Sequence, residues 1–194
     1  KAVDDKILSI CKKCGRKIPV YLMPILESAE GILNSLEIAK ASKNYVAIAI
    51  GLEDYTADIG VQRTNQGRES LFARSQVVNS AKSAGIQAID TVFSDVNEED
   101  GLRASVKEAK ELGFEGKGCI HPRQIIPIHE EFAPSKLEIE RAKKIVIAFD
   151  EAEKKGLGVV ALGSKMIDPP VVRRALQTIN LAVAMKLLTK RWKK

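Results

Sequence analysis

The fold class is decided by the stretch YVAIAIGL, residues 45–52, in which six apolar residues precede a glycine. An unbroken apolar run of this length is typical of a strand that a parallel sheet buries on both faces. Apolar residues at helical spacing on either side, at 28–42 and 69–84, predict helices that flank this strand. A strand between two helices is the repeating unit of an α/β fold.

The same alternation continues along most of the chain. Three further strands are predicted at residues 19–26, 87–93 and 116–121. Further helices with capping or stop signals are predicted at residues 3–14, 98–112 (capped by Asn97), 135–155 and after Asp168. This order predicts a parallel sheet with right-handed crossovers. Four strands form either a doubly wound sheet or about half of a (β/α)8 barrel, and neither nucleotide-binding glycine motif is present.

The composition limits the class of protein. With 194 residues, 45% of them hydrophobic, the chain can bury a core of ordinary size, and no apolar run is long enough for a transmembrane helix. Three cysteines without framework spacing favour a reducing, cytoplasmic setting. The net charge of +6 leaves a non-catalytic basic domain open, although 5% aromatic residues offer little base stacking for nucleic acid.

Carboxylates follow two neighbouring predicted strands. Glu27 follows the first strand and Asp54 follows the second. The carboxyl ends of adjacent parallel strands meet at one edge of a sheet, where α/β folds hold their sites. Because two close carboxylates repel, a divalent cation such as Mg²⁺ suits such a pair. By spacing alone, Glu27 is explained equally well as a cap for the helix that follows it.

Three further aspartates have competing explanations. Asp168 precedes Pro169, which predicts a helix cap and leaves a catalytic role as the less favoured alternative. Asp90 and Asp95 lie near the end of the third strand, where helix capping or support of a site is expected.

Cysteines and arginines are predicted to have structural roles. Cys11 and Cys14 resemble half of a zinc site, but no second ligand pair follows, so we predict that both pack in the core. Cys119 lies within a predicted strand and is expected to be buried. Three arginines are expected at the solvated surface: Arg63, Arg68 and Arg74.

Five segments together resemble the family of the citrate lyase beta subunit. They are PILESAEG (24–31), GLEDYTADIG (51–60), AIDTV (88–92), GKGCIHPRQI (116–125) and GSKMIDPP (163–170). The segments occur in order along nearly the whole chain, and the resemblance is to the C-terminal two-thirds of that subunit. The wider HpcH/HpaI aldolase/citrate lyase family includes malyl-CoA and citramalyl-CoA lyases.

The resemblance implies a (β/α)8 TIM barrel, of which this chain holds roughly the C-terminal half. Residues 1–156 would form the partial barrel, and residues 157–194 an extension with a helix available to pack on a neighbouring subunit. The implied activity is a Mg²⁺-dependent carbon–carbon lyase, which cleaves a citryl thioester on acyl carrier protein or coenzyme A to oxaloacetate and an acetyl thioester. Glu27 and Asp54 match the metal ligands of the family, and Asp168 matches its acid/base residue.

Partners follow from the same resemblance. It implies a homo-oligomer with other citrate lyase subunits as further partners. The cysteine usage predicts a cytoplasmic setting, while the scattered charge and the lack of a long apolar run predict that neither nucleic acid nor membrane is bound. A malyl-CoA or citramalyl-CoA lyase remains an alternative. Strands expected before Lys1 would carry a substrate-binding arginine and part of the thioester groove. We therefore expect this chain alone to bind metal weakly and to turn over slowly or not at all.

Overall fold

The computed structural model describes residues 2–163 and 165–193, apart from the side chain of Lys165. The chain divides into two compact units, one ending at Phe132 and the other beginning at Ala133. This division lies earlier than the boundary expected after residue 156. The reason is that the long helix before residue 156 packs on the last helix of the chain.

A four-stranded parallel sheet forms the first unit, with the same strand order in space as in sequence. Its strands are β1 (Ile25–Leu26), β2 (Ala47–Ile50), β3 (Gln87–Asp90) and β4 (Gly116–Lys117). All four predicted strands are present but shorter: β1 begins later than predicted, β3 and β4 end earlier, and β2 is shorter at both ends. The predicted α/β fold with a parallel sheet is confirmed.

Helices precede, connect and follow the strands of the first unit. They are α1 (Ala2–Lys13), α2 (Ala29–Leu33), α3 (Ser35–Lys40), α4 (Leu52–Asp58), α5 (Leu71–Ala84), α6 (Glu99–Leu112) and α7 (Ile125–Phe132), the last preceded by a 3-10 turn at Pro122–Gln124. The single helix expected at 28–42 is interrupted at Asn34, whose backbone is not helical. Glu98, and not Asn97, caps α6, since its carboxylate accepts a hydrogen bond from the backbone N–H of Gly101 at 2.8 Å.

One face of the sheet packs against helix α5. Ile48 and Ile50 of β2 are almost fully buried and belong to one apolar cluster with Val77 of α5. Alternate strand residues point to the opposite face. The strand register places four of them in one row across the sheet: Ile25, Ala49, Ile89 and Gly116. Ile25 in this row is 54% exposed, so the two faces of the sheet are covered unequally.

The second unit contains two helices and a hairpin. It is built from α8 (Lys136–Glu153), the antiparallel strands β5 (Val160–Leu162) and β6 (Lys165–Ile167), and α9 (Pro169–Ala184). The predicted capping box of α8 is confirmed. The Ser135 hydroxyl accepts from the backbone N–H of Glu138 at 3.2 Å, and the Glu138 carboxylate accepts from that of Ser135 at 2.7 Å.

The predicted burial of the cysteines is wrong. Helix α1 has no buried residue, so Cys11 is only half-buried and Cys14 is exposed. Cys119 is also exposed, because β4 ends at Lys117, before the cysteine is reached. Over residues 2–163 and 165–193, none of the helices has the length and apolarity to cross a bilayer.

A buried hydroxyl pair joins α3 to α5 and generates a stability prediction. The hydroxyls of Ser35 and Ser80 are 2.7 Å apart, and both residues are buried. Ser35→Ala leaves the Ser80 hydroxyl without this partner, which costs about 1–2 kcal/mol of unfolding free energy. We expect Ser35→Ala/Ser80→Ala to cost less than the sum of the single changes in urea unfolding, because it removes both polar groups. Additive single changes would contradict this, and the exposed Ser83→Ala on the same helix is the control.

Candidate functional site

The two predicted metal ligands lie at the carboxyl ends of β1 and β2. Glu27 directly follows β1, and Asp54 lies in the first turn of α4, whose cap is Gly51. Both residues are exposed. The backbone N–H of Gly51 donates to the carbonyl of Leu26 at 2.9 Å. The ends of the two strands are therefore hydrogen-bonded to each other just before the chain reaches Glu27 and Asp54.

The side chain of Glu27 lies over the Cα atom of Gly51. A Cβ atom at residue 51 would stand 2.5 Å from Oε1 and 2.8 Å from Cγ of Glu27, which is closer than such atoms approach. Only glycine at this position leaves the space that the Glu27 side chain occupies. That space is at the end of β2, three residues before Asp54.

Glu27 is not the cap of the helix that follows it. The N-cap of α2 is Ser28, whose hydroxyl accepts a hydrogen bond from the backbone N–H of Gly31 at 3.1 Å. A second free N–H of this helix, that of Ala29, donates to the carboxylate of Asp58 at 2.7 Å. The capping explanation of Glu27 is therefore wrong, and its carboxylate is not used to cap α2.

The donor set at this edge suits one kind of metal ion. No three His, Cys, Asp or Glu side chains within the described part of the chain come together as a metal-binding group. Glu27 and Asp54 would thus supply two carboxylates to an ion that takes its remaining ligands from elsewhere. Mg²⁺ commonly binds in this way, through one or two carboxylates plus water and substrate oxygens. The residues present fit Mg²⁺ on this ground.

Arg63 attaches the first turn of α4 to the segment after β3. Its Nη1 donates to Oε1 of Glu53 at 2.6 Å, and its Nη2 donates to the carbonyl of Val92 at 2.6 Å. The hydroxyl of Ser94 donates to the same Glu53 oxygen at 3.0 Å. The Arg63 guanidinium, helped by Ser94, lowers the pKa of Glu53 below its ordinary value. The expectation that Arg63 is a solvated surface residue is wrong, since its side chain is only 19% exposed.

A buried ionic cluster surrounds Asp90 at the end of β3. Arg74 donates from Nε and Nη2 to the two carboxylate oxygens, each at 3.0 Å, and Lys117 of the adjacent strand donates from Nζ at 2.8 Å. The three side chains are 4% exposed or less. Burial lowers the pKa of Lys117, and the carboxylate of Asp90 opposes that shift. Asp90 thus supports the sheet edge, whereas the predicted surface position of Arg74 is wrong.

A cavity of about 340 Å³ opens at this cluster. Its lining includes Arg63 and Glu53 from the attachment of α4, and Arg74, Asp90 and Lys117 from the buried cluster. Neither Glu27 nor Asp54 belongs to the lining. The candidate metal ligands therefore lie outside the lining of this cavity, although Glu53, the residue before Asp54, belongs to it.

Asp168 belongs to the second unit and caps α9. Its Oδ1 accepts a hydrogen bond from the backbone N–H of Val171 at 3.1 Å, and Pro169 and Pro170 open the helix. The predicted cap is confirmed. The catalytic role of Asp168 stays a prediction, because it depends on a neighbour that this single chain does not contain.

Sequence reasoning missed two residues of the sheet edge for different reasons. Arg74 has a usable signal, because it lies on the buried side of α5 with Val77, Val78 and Ala81, at helical spacing. Arg63 has none, since a loop separates it from Glu53 and no periodicity relates the two residues.

The profile of the HpcH/HpaI aldolase/citrate lyase family matches residues 1–122. The chain belongs to this family. It is 43% identical over 181 residues to citrate lyase subunit beta of Escherichia coli K12, covering 93% of this chain and 60% of that protein. It is 36% identical over 182 residues to the mitochondrial citramalyl-CoA lyase of Mus musculus, covering 89% and 54%. The chain therefore spans less than two-thirds of the length of these relatives.

Solved structures agree with this family assignment. The protein CitE of Mycobacterium tuberculosis, in complex with magnesium, acetoacetate and coenzyme A, is similar with a TM-score of 0.74 and 28% identity. The similarity covers 84% of this chain and 61% of that one. A citrate lyase from Burkholderia xenovorans LB400 reaches a TM-score of 0.79 at 20% identity over 92% and 57%, which shows the shared fold. The resemblance predicted from the five sequence segments is confirmed.

The Asp90 cluster generates a second prediction. Asp90→Ala leaves the buried cations of Arg74 and Lys117 without their shared carboxylate, so we expect a loss of about 3–5 kcal/mol in unfolding free energy. Denaturant unfolding measures this loss.

The matched control is Glu108→Gln. Glu108 binds Arg74 at 2.8 Å but is 41% exposed, so this change is expected to cost at most about 1 kcal/mol. Equal losses for Asp90→Ala and Glu108→Gln would show that burial of the cluster is not what stabilises the sheet edge.

Proposed function

We propose that this chain carries the metal-binding edge of a Mg²⁺-dependent carbon–carbon lyase. The substrate is a citryl thioester, and the products are oxaloacetate and an acetyl thioester. The observation that carries the proposal is the position of the Glu27 carboxylate over Gly51, the cap of α4, whose first turn contains Asp54. The names of the relatives, which include citrate lyase subunit beta, support the same reaction class.

Glu27 and Asp54 are the proposed ligands of the ion. Bound there, Mg²⁺ supplies Lewis-acid stabilisation of the oxygen charge that develops at the oxaloacetate end of the substrate. Both carboxylates are exposed, so substrate oxygens and water have access to the remaining coordination positions. Gly51 serves the ion indirectly, because any larger residue would displace the Glu27 carboxylate.

Asp168 is the proposed acid/base residue. During cleavage the substrate hydroxyl gives up its proton to a base as its oxygen becomes the ketone of oxaloacetate. The electron pair of the broken carbon–carbon bond stays on the acetyl thioester as an enolate, which must then take up a proton. A carboxyl group is suited to deliver that proton, and the one at Asp168 stands at a helix start with two prolines behind it. We place this residue in the site of a neighbouring subunit, which makes the active protein an oligomer.

The proposed architecture is half of a (β/α)8 barrel. Its support is the parallel order of the four strands, the packing of α5 on one face and the exposure of Ile25 on the other. Residues 157–194 remain the proposed extension that packs on a neighbouring subunit. The substrate carrier is an acyl carrier protein or coenzyme A, other citrate lyase subunits are further partners, and the setting is cytoplasmic.

A second candidate substrate is a citramalyl thioester. It is favoured by the identity of 36% to the citramalyl-CoA lyase of Mus musculus. Citryl, malyl and citramalyl thioesters, compared side by side at equal concentration, would distinguish the candidates through the ketoacid released: oxaloacetate, glyoxylate or pyruvate.

The metal proposal predicts the behaviour of three variants. We expect Glu27→Gln and Asp54→Asn to weaken Mg²⁺ binding with oxaloacetate present by more than about tenfold, because even outer-sphere substitutions commonly cost that much. Gly51→Ala should weaken it as well, since it displaces Glu27 without changing any charge. Titration calorimetry measures the affinities. Where binding is too weak to give a measurable heat, a titration with Mn²⁺ replaces calorimetry, because Mn²⁺ prefers the same oxygen ligands and its free form is measured by electron paramagnetic resonance.

The control for these variants is Glu30→Gln, an exposed acid in α2 near the same edge. It removes one negative charge and is expected to leave the metal affinity within about twofold, because an exposed charge that is not a ligand is screened by salt. Binding that is equal in the parent chain, Glu27→Gln and Asp54→Asn would refute the proposed ligands.

Asp168→Asn separates the capping role from the catalytic one. Asparagine is as good an N-cap as aspartate, so the unfolding free energy should change by no more than about 0.5 kcal/mol. In a chain extended at its N-terminus to the length of its relatives, single-turnover cleavage should fall by about 10²- to 10⁴-fold, the usual contribution of a general acid. Release of oxaloacetate from excess enzyme measures this rate, and an undiminished rate would exclude Asp168 from proton transfer.

A further inference from the structure

Helix α4 depends on outside contacts to keep its first turn in place. It has seven residues, which is too short for stability of its own in water. Its cap, Gly51, has no side chain that could bind the free N–H groups. One of these groups, that of Leu52, donates instead to the hydroxyl of Thr91 at 3.2 Å. The start of α4 is therefore held by the segment that follows β3.

The stronger part of this attachment passes through Arg63. One guanidinium nitrogen reaches Glu53 and another reaches the carbonyl of Val92, both at 2.6 Å. A planar guanidinium can hold two acceptors from different segments at fixed angles, whereas a lysine ammonium is a single point charge on a flexible stem. Glu53 is the residue directly before Asp54, so the contact acts one peptide bond from the proposed ligand.

The loop that carries Arg63 is itself fixed. Both the backbone N–H and the hydroxyl of Thr64 donate to the carboxylate of Glu69, at 3.0 and 2.8 Å. The backbone N–H of Gly67 donates to the Thr64 hydroxyl at 3.2 Å. Arg63 thus projects from a closed loop and is only 19% exposed. The guanidinium of Arg63 is therefore held at both ends: its backbone belongs to a closed loop, and its nitrogens bind Glu53 and the carbonyl of Val92.

We infer that Arg63 is a positioning residue for Asp54. By holding Glu53 against Val92 and Ser94, it sets the place of the Asp54 carboxylate relative to that of Glu27. Arg63 does not itself touch the ion or the substrate in this scheme. The inference rests on the proposed function, in which Asp54 is a metal ligand.

The sign of one effect distinguishes positioning from simple electrostatics. Removal of a positive charge near a cation site by itself strengthens cation binding, because it removes a Coulomb repulsion. If Arg63 positions Asp54, its removal has the opposite effect, because the ligand geometry is lost. Weaker binding after loss of a cationic side chain is therefore specific to a positioning role.

The experiment is a Mn²⁺ titration with oxaloacetate present, in which electron paramagnetic resonance reports free Mn²⁺. We expect Arg63→Gln to raise the dissociation constant by about tenfold, as outer-sphere substitutions do. Arg63→Lys should recover part of the loss, because it keeps one of the two contacts. Ser94→Ala removes the second donor to Glu53 without changing charge and should weaken binding by a smaller factor.

Arg68→Gln is the matched control. It removes the same charge from an exposed residue of the same connection and should leave the constant within about twofold, because exposed charges are screened. Unchanged or tighter binding in Arg63→Gln and in Ser94→Ala, with measurable binding in the parent chain, would overturn this inference alone. A parent chain that binds no Mn²⁺ would overturn the proposed function together with it. Thermal unfolding of each variant verifies that it is folded, and Ser94→Ala decides the outcome if Arg63→Gln is not.

Discussion

The buried carboxylate of Asp90 is the point on which the sheet edge depends. It binds two cations, Arg74 from α5 and Lys117 from β4, and so fixes the end of β3 against a helix and a neighbouring strand. Removal of Asp90 would leave two cations without their shared carboxylate in a nearly water-free place. The residues that follow, from Thr91 to Ser94, therefore begin from a fixed position at the end of β3.

The segment after β3 in turn holds the first turn of α4 in place. Thr91 binds the N–H of Leu52, while Val92 and Ser94 share the contacts of Arg63 and Glu53. Asp54 directly follows Glu53 in the sequence. On the other side Glu27 occupies the space that Gly51 leaves free. The two carboxylates are thus positioned by different means, one by a network of hydrogen bonds and one by the absence of a side chain.

Local patterns account for what the sequence predicted correctly. Apolar runs located all four strands, and the Ser135 capping box and the Asp168 cap are short-range chemistry that is visible within four residues. Helix α4 escaped prediction because it begins immediately after an apolar strand and is shorter than the window in which helical periodicity can be recognised. The spacing of Glu27 and Asp54 predicted that they follow two neighbouring strands, as they do in the structure. Their role as metal ligands stays a prediction. Arg63 was missed because its partners are distant in sequence, and only the folded chain brings them together.

Helix α4 is also bound at its other end, where the carboxylate of Asp58 accepts from the backbone N–H of Ala29 at the start of α2. The seven-residue helix therefore connects the segments that follow β1 and β3 and has little freedom to move independently of either. Any ligand that binds its first turn adds its binding free energy to the ordering of both segments. By thermodynamic linkage, a higher ligand concentration makes opening of this edge of the sheet rarer. The loss of one contact affects the segments that follow β1, β2 and β3.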